Sequence, residues 1–359
     1  MRPPFEWDPY SDQPKIILDK AYKRSMRLRH WPDYLKMAAI SAALMPAALM
    51  HMALVKPRNL KKNLIDVIGL GVSPDRGSEQ FDLIDELGVK HVLVRMPLWD
   101  MNNLGLYYSF AQEFHKRQKT VLINVLQDRE HIENEELLHF DIRRIFDTFE
   151  AVSHDYQIGN AINRVKWGIF SASEYLRFFE TVQKVRDKDY KHLMLLGPSV
   201  IDFEYHFTCR ALFNSFNIHF DRLSALLYVD RNGAPGNKQY GLFDTRRKMR
   251  LLGSLASLSH KVHNKKLYIT EVNWPLTGTA PYAPTSEKEC ITERDYAIYM
   301  RDYLLTASET ECIERVYWHQ LIAPGYGLVD NRSGILRRTE MFSELSQLLA
   351  SAQGPFPAL

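Results

Sequence analysis

The clearest offer of chemistry in the chain is a carboxylate set at the end of an apolar run. In Leu267-Tyr268-Ile269-Thr270-Glu271-Val272-Asn273-Trp274-Pro275, a buried-strand pattern runs into Glu271, and Pro275 stops it soon afterwards. Other polar residues sit at comparable ends. Arg95 closes Val92-Leu93-Val94-Arg95-Met96-Pro97, and Asn124 and Asp128 follow a third run. Asn160 and Asn163 lie in Tyr156-Gln157-Ile158-Gly159-Asn160-Ala161-Ile162-Asn163, Tyr228 and Asp230 follow a sixth run, and Trp318 and His319 close an eighth. A carboxylate can attack carbon or hold a cation. Amides and an arginine fix hydroxyl directions, and aromatic rings pack on sugar C–H faces, so the set suits a carbohydrate cleft. Taken singly, each has a plainer alternative: Glu271 as a strand-end acid, Arg95 as the partner of some nearby acid, Asn160 as a helix cap, Tyr228 and Trp318 as core aromatics.

The elements that must position these residues begin at residue 65. Apolar runs occur at 65–72, 91–96, 120–126, 155–159, 193–196, 223–229, 266–270 and 313–318. Helical candidates follow at 80–87, 107–119, 136–151, 173–185, 206–216, 245–263, 293–306 and 339–349. Eight short strands, each followed by a helix, predict an α/β chain folded as a (β/α)8 barrel. A doubly wound open sheet is the alternative. Gly69-Leu70-Gly71 is only a fragment of a dinucleotide loop, and no Gly-x-x-x-x-Gly-Lys segment occurs, so no nucleotide cofactor is expected.

On this ordered set the region of about residues 65–350 resembles the large clan of retaining β-glycoside hydrolases built on (β/α)8 barrels. The resemblance implies that Glu271 stands at the nucleophile position, on the seventh strand. It implies that Asn160 contacts a sugar 2-hydroxyl, that Arg95 and Tyr228 neighbour the nucleophile, and that Trp318 is the sugar platform. Asn163 joins them as a substrate-binding candidate. The clan's acid/base glutamate follows the asparagine of the fourth strand, and that position is Ala161 here. Retaining hydrolysis needs one carboxylate to attack carbon and a second to protonate the leaving oxygen and then activate water. Alanine does neither.

Asp128, Glu130, Glu174, Asp202, Glu204 and Asp230 are the candidates for a displaced acid, with Glu204 first because the fifth strand neighbours the fourth. Other chemistries find less support. The 13 histidines form no His-Glu-x-x-His segment, and no metal site is expected. Ser73 and Ser199 lack a nucleophile-elbow context. Cys209, Cys290 and Cys312 show no Cys-x-x-Cys spacing. A net charge of +3, without a basic patch interleaved with aromatics, argues against a nucleic-acid partner.

The chain is expected to divide into an N-terminal extension, 1–62, and a barrel domain, 63–359. Residues 1–14 are rich in Pro and Asp and are expected to lack regular structure; residues 16–31 suit a basic helix. Residues 37–55 carry no formal charge and are long enough to cross a bilayer, though rich in alanine and interrupted by Pro46. Two readings stay open: a membrane-inserted segment, or an apolar helix buried against the barrel. In the first, the heavier basic flank of Lys15 to Lys36 keeps the N-terminus cytoplasmic and places the barrel in the periplasm, an orientation weakened by Lys56, Arg58, Lys61 and Lys62. In the second the protein is cytoplasmic. The expected partner is a polysaccharide or glycolipid, with a membrane or membrane protein as a further candidate. The alternative to an enzyme is a glycan-binding or membrane-assembly protein on a hydrolase scaffold.

Overall fold

The computed structural model describes residues 5–55, 62–230 and 232–353. Eight parallel strands close a barrel: β1 Ile68–Val72, β2 His91–Pro97, β3 Thr120–Leu126, β4 Asp155–Ile158, β5 Met194–Ile201, β6 Arg222–Leu226, β7 Leu267–Ile269 and β8 Ile313–Trp318. β8 pairs with β1 to complete the ring. Every strand is buried along most of its length because the helices cover the outside, which is why the runs read as continuously apolar.

Alternation along the strands separates an outer core from an inner layer. Leu93, Leu122, Leu196, Tyr268 and Tyr317 form their own buried cluster inside the barrel. Gly69 makes room for that layer, since a Cβ there would lie 2.5 Å from the Tyr317 ring. The inward direction of Leu93 and Leu122 carries two residues further, to Arg95 and Asn124, and so aims polar side chains at the C-terminal mouth. Side-chain caps start the following helices on that same side: Asp128 for 129–133, Ser171 for 172–189 and Asp244 for 245–258.

The structure moves several expected boundaries. Residues 65–67 are helical rather than strand, because the Asn63 side chain accepts from the Ile65 amide and starts a single turn. β5 continues past its proline to Ile201. From residue 5 the N-terminal segment holds regular structure. Trp7–Asp8 and Gln13–Pro14 pair as an antiparallel hairpin, and Trp7 packs on Trp99 and Trp167 over the mouth of the barrel. The hairpin runs on into α1, Lys20–Arg29.

The apolar segment belongs to α2, Trp31–Leu54, which continues through Pro46 and is long and apolar enough to cross a membrane. One side of it lies against the barrel. Ala48 is fully buried, and Ile40, Leu44, Met45, Leu49 and Met52 pack on the core. Leu35, Met50 and Leu54 face outward. The Arg250 guanidinium donates to the Met52 and Val55 carbonyls near the helix end. At the other end the buried Asp33 carboxylate accepts from the Ser173 amide at 2.9 Å and hydroxyl at 2.6 Å, and pairs with Arg210 at 2.8 Å. The flanking Lys56, Arg58 and Lys61 lie outside the described residues.

Burial pushes the Asp33 pKa up, but the hydrogen bonds from Ser173 and the Arg210 charge outweigh it and hold it below 3.8. A depressed folded pKa means that the carboxylate's contribution is complete above the unfolded value and is lost as pH falls through the folded one. Replacing Asp33 by Ala is expected to lower unfolding stability by about 3 kcal/mol, because it strands a buried guanidinium. Urea unfolding at pH 7 and again below pH 3 checks this, with the difference between the two proteins narrowing at the acid end.

Candidate active site

Glu271 stands two residues past the end of β7, where the chain leaves regular strand geometry. It is 8% exposed. Its Oε2 accepts from Arg95 Nη2 of β2 at 2.5 Å, and its Oε1 accepts from the Tyr228 hydroxyl at 2.7 Å. Burial pushes the carboxyl's pKa up; Arg95 and the two hydrogen bonds overcome that and hold it below the ordinary 4.5. His319 also pulls the Glu271 pKa down, while its own is pushed down to about 3 by burial and by Arg95. Tyr228 is pushed up by burial and by Glu271, so it stays a donor.

The other nitrogen of the Arg95 fork is occupied from an unexpected direction. Nη1 donates to Asp12 Oδ2 at 2.9 Å and to the Asp12 carbonyl at 3.1 Å, and Gln320 Nε2 donates to the same carboxylate oxygen at 2.5 Å. Asp12 sits at the turn of the N-terminal hairpin with φ +52°. Burial raises its pKa against the pull of Arg95. A second carboxyl thus lies one guanidinium away from Glu271, and the two pKa values are displaced in opposite directions.

The fourth strand supplies an amide network. Asn160 Oδ1 accepts from Asn124 and Gln157, both at 3.2 Å, and Gln127 brackets the Asn160 backbone on both sides at 2.8 Å. Asn160 lines the cavity at only 1% exposure, and its buried Nδ2 has no protein partner. The Tyr326 hydroxyl, also in the cavity wall, is likewise unpartnered. Ala161 lines the cavity too, at φ +45°, beside Trp167 and Leu226. The cavity holds about 610 Å³, and residues 11–13, Ile16, Ile17 and Lys23 of the N-terminal extension form part of its wall.

Glu271, Arg95, Asn160 and Tyr228 are brought together around this cavity, whereas Trp318, Glu204 and Asn163 are not among its lining residues. Trp318 is fully buried on the outer side of β8, stacked on Trp274 and donating to the Tyr296 hydroxyl at 2.9 Å. Tyr317 points inward, so the alternation turns Trp318 outward and returns His319 to the cavity. Glu204 and Asn163 are engaged with each other at 2.7 Å. Asn163 also ties the Ile201 backbone, and Arg164 holds Glu204 at 2.6 Å while also pairing with Asp202. Asp202 does line the cavity, with its pKa raised by burial against the pull of Arg164. Asp128 caps a helix and holds His131, and Glu174 pairs with Arg129, so both are structural. Among the described residues no group of His, Cys, Asp and Glu is arranged to hold a metal ion.

Several cavity residues escape a reading of the sequence. Counting parity from Tyr317 finds His319. Asp12, Lys166 and Tyr326 carry no local signal, because their neighbours in the cavity are distant in the chain.

No family model matches the chain, and no curated protein does. Solved structures do. A family 39 glycoside hydrolase from the gut symbiont Bacteroides cellulosilyticus WH2 superposes with a TM-score of 0.59 at 14% identity, covering 82% of this chain and 65% of that one, just under two thirds of its length. The catalytic domain of an Ignisphaera aggregans GH53 protein gives 0.58 at 14% identity, over 82% and 99% of the two chains. A β-glucosidase from Thermotoga maritima gives 0.57 at 10%, over 83% and 99%. The chain is therefore a (β/α)8 barrel with the fold of several glycoside-hydrolase families. At these identities the likeness establishes the fold and leaves the chemistry to the site.

Arg95 is the only guanidinium within ion-pair distance of Glu271 among the described residues. Replacing Arg95 by Met is expected to cost about 3 kcal/mol of stability, since buried carboxylates lose their counter-charge. Adding Glu271→Gln should recover part of that loss. A double-mutant cycle by urea unfolding is predicted to give a coupling of about 1 kcal/mol or more.

Proposed function

We propose that the chain handles a polysaccharide or glycolipid at this cavity, with Glu271 as the residue that meets the anomeric carbon. The observation that carries the reading is a buried carboxylate held ionised by Arg95 and Tyr228 at the C-terminal mouth of a (β/α)8 barrel. Asn160, a residue of the same cavity wall whose amide donor has no protein partner, is the candidate for a sugar hydroxyl.

The same reading limits turnover. Position 161 offers a methyl group where departure of an ordinary alcohol needs a proton donor. Glu271 can displace a leaving group that departs without protonation, forming a C–O bond to the anomeric carbon as the leaving-group bond breaks. Attack of water on that ester then lacks its usual base, so the covalent species persists. A second reading, glycan holding without turnover, is favoured by Asp12, which already engages Arg95 and Gln320. The apolar outer side of α2 is consistent with a lipid-linked glycan as the thing handled.

A panel of 2,4-dinitrophenyl 2-deoxy-2-fluoro-glycosides separates the two. Under the first reading, mass spectrometry finds one glycosyl unit on the peptide bearing Glu271, and none in Glu271→Gln. With unfluorinated dinitrophenyl glycosides, added azide should speed turnover at least tenfold and yield glycosyl azide, because a small anion replaces the missing base. An adduct on another residue removes Glu271 from its role. Glycan binding with no adduct across the panel leaves the second reading.

A further inference from the structure

The cations of the cavity fall into two sets. Arg95 is matched by Asp12 and Glu271, and Arg164 by Asp202 and Glu204. Lys166 is not matched. It stands on the turn Val165–Trp167 that follows β4, half-buried in the cavity wall. Its ammonium donates to the Gln13 side-chain oxygen at 2.5 Å, and no carboxylate lies within ion-pair distance among the described residues. Burial pulls its pKa down, an effect that the more distant Glu271 and Asp8 oppose.

Basic residues without a carboxylate at ion-pair distance continue outward from Lys166. Lys23 of α1 lines the cavity and also an adjoining surface groove, which is walled by Lys20, Arg24, Arg27 and Leu28. None of these four basic residues has a carboxylate at ion-pair distance among the described residues, although ion pairs are plentiful elsewhere on the surface. An ammonium in a partly desolvated wall is costly without a counter-charge, and opposite charge at close range repays that cost far better there than in water. An amide oxygen is a weak substitute that an incoming anion can displace.

Resting on the glycan reading above, we infer that the glycan is acidic: a carboxylate or phosphate on the sugar bound near Glu271 meets Lys166, and further acidic units follow Lys23 and the basic face of α1. Neutral hydroxyls of the same sugar are left to Asn160 and Tyr326, two wall residues that each hold a polar atom without a protein partner. Lys166 then selects among sugars rather than taking part in bond breaking.

Calorimetric titration of the full chain tests this with four probes: an oligoglucuronate, a phosphomannan oligosaccharide, a neutral cello-oligosaccharide, and phosphatidylglycerol vesicles. The inference expects one of the two acidic oligosaccharides to bind at least tenfold more tightly than the neutral one. Which of the two does so tells carboxylate from phosphate. That affinity should fall at least tenfold in Lys166→Gln, survive largely in Lys166→Arg, and weaken steadily with added salt. Thermal melting of both variants shows that each is folded. Neutral binding as tight as acidic, with Lys166→Gln changing neither, overturns the inference while the glycan reading stands. Binding to the vesicles alone, lost in a Lys20/Arg24/Arg27→Gln variant and unaffected at Lys166, overturns it in favour of a membrane surface. No sugar bound at all overturns both readings together.

Discussion

The Arg95 guanidinium is the constraint on which the site depends. Its two terminal nitrogens face two carboxylates, Glu271 from the end of β7 and Asp12 from the N-terminal hairpin. A single guanidinium cannot be desolvated between two acids unless their geometry is fixed, and both acids are fixed by further bonds: Tyr228 on Glu271, Gln320 on Asp12. The barrel supplies the rigidity. Inward alternation of β2 aims Arg95 at the mouth, and the closed ring prevents its neighbours from shifting independently. The outcome is one carboxylate held below its ordinary pKa beside another held above it.

That arrangement makes the N-terminal extension part of the site's wall. Asp12 lies 83 residues before Arg95 and 308 before Gln320, and Gln13 lies 153 before Lys166. Trp7 fastens the hairpin onto Trp99 and Trp167, and α2 then runs down the flank of the barrel, anchored by Asp33 and Arg250. The cavity wall is drawn from both parts of the chain. Basic α1 lies alongside and the apolar side of α2 faces outward, so charge, cavity and an apolar surface are grouped on neighbouring elements.

The barrel was legible in the sequence because strands covered on both faces write themselves as uninterrupted apolar runs, and the spacing between runs left room for one helix each. Glu271, Arg95, Asn160 and Tyr228 were legible because strand ends on one rim must converge. Trp318 was misplaced for a definite reason: residue type says that a tryptophan wants a surface to pack on, but not which side of the strand provides it. Glu204 was near the right loop, yet Arg164 and Asn163 consume its carboxylate, and Asp202 is the acid of that loop that reaches the cavity. Asp12 lies in a segment whose Pro and Asp content reads as irregular, and its order comes from tertiary contacts to Arg95 and Gln320, far away in the chain.

The ionisation of Glu271 is where the account is most directly exposed. A titration of the side-chain carboxyl resonances in the full chain labelled with ¹³C-glutamate, with Glu271→Gln used to assign the signal, reads it without any assumption about substrate. The account predicts a midpoint below 4.5 for Glu271 that rises when Arg95 is replaced by Met. A midpoint near neutrality, or one indifferent to Arg95, would mean that burial rather than the guanidinium governs the carboxyl, and would contradict the reading of Glu271 as an ionised, sugar-facing group.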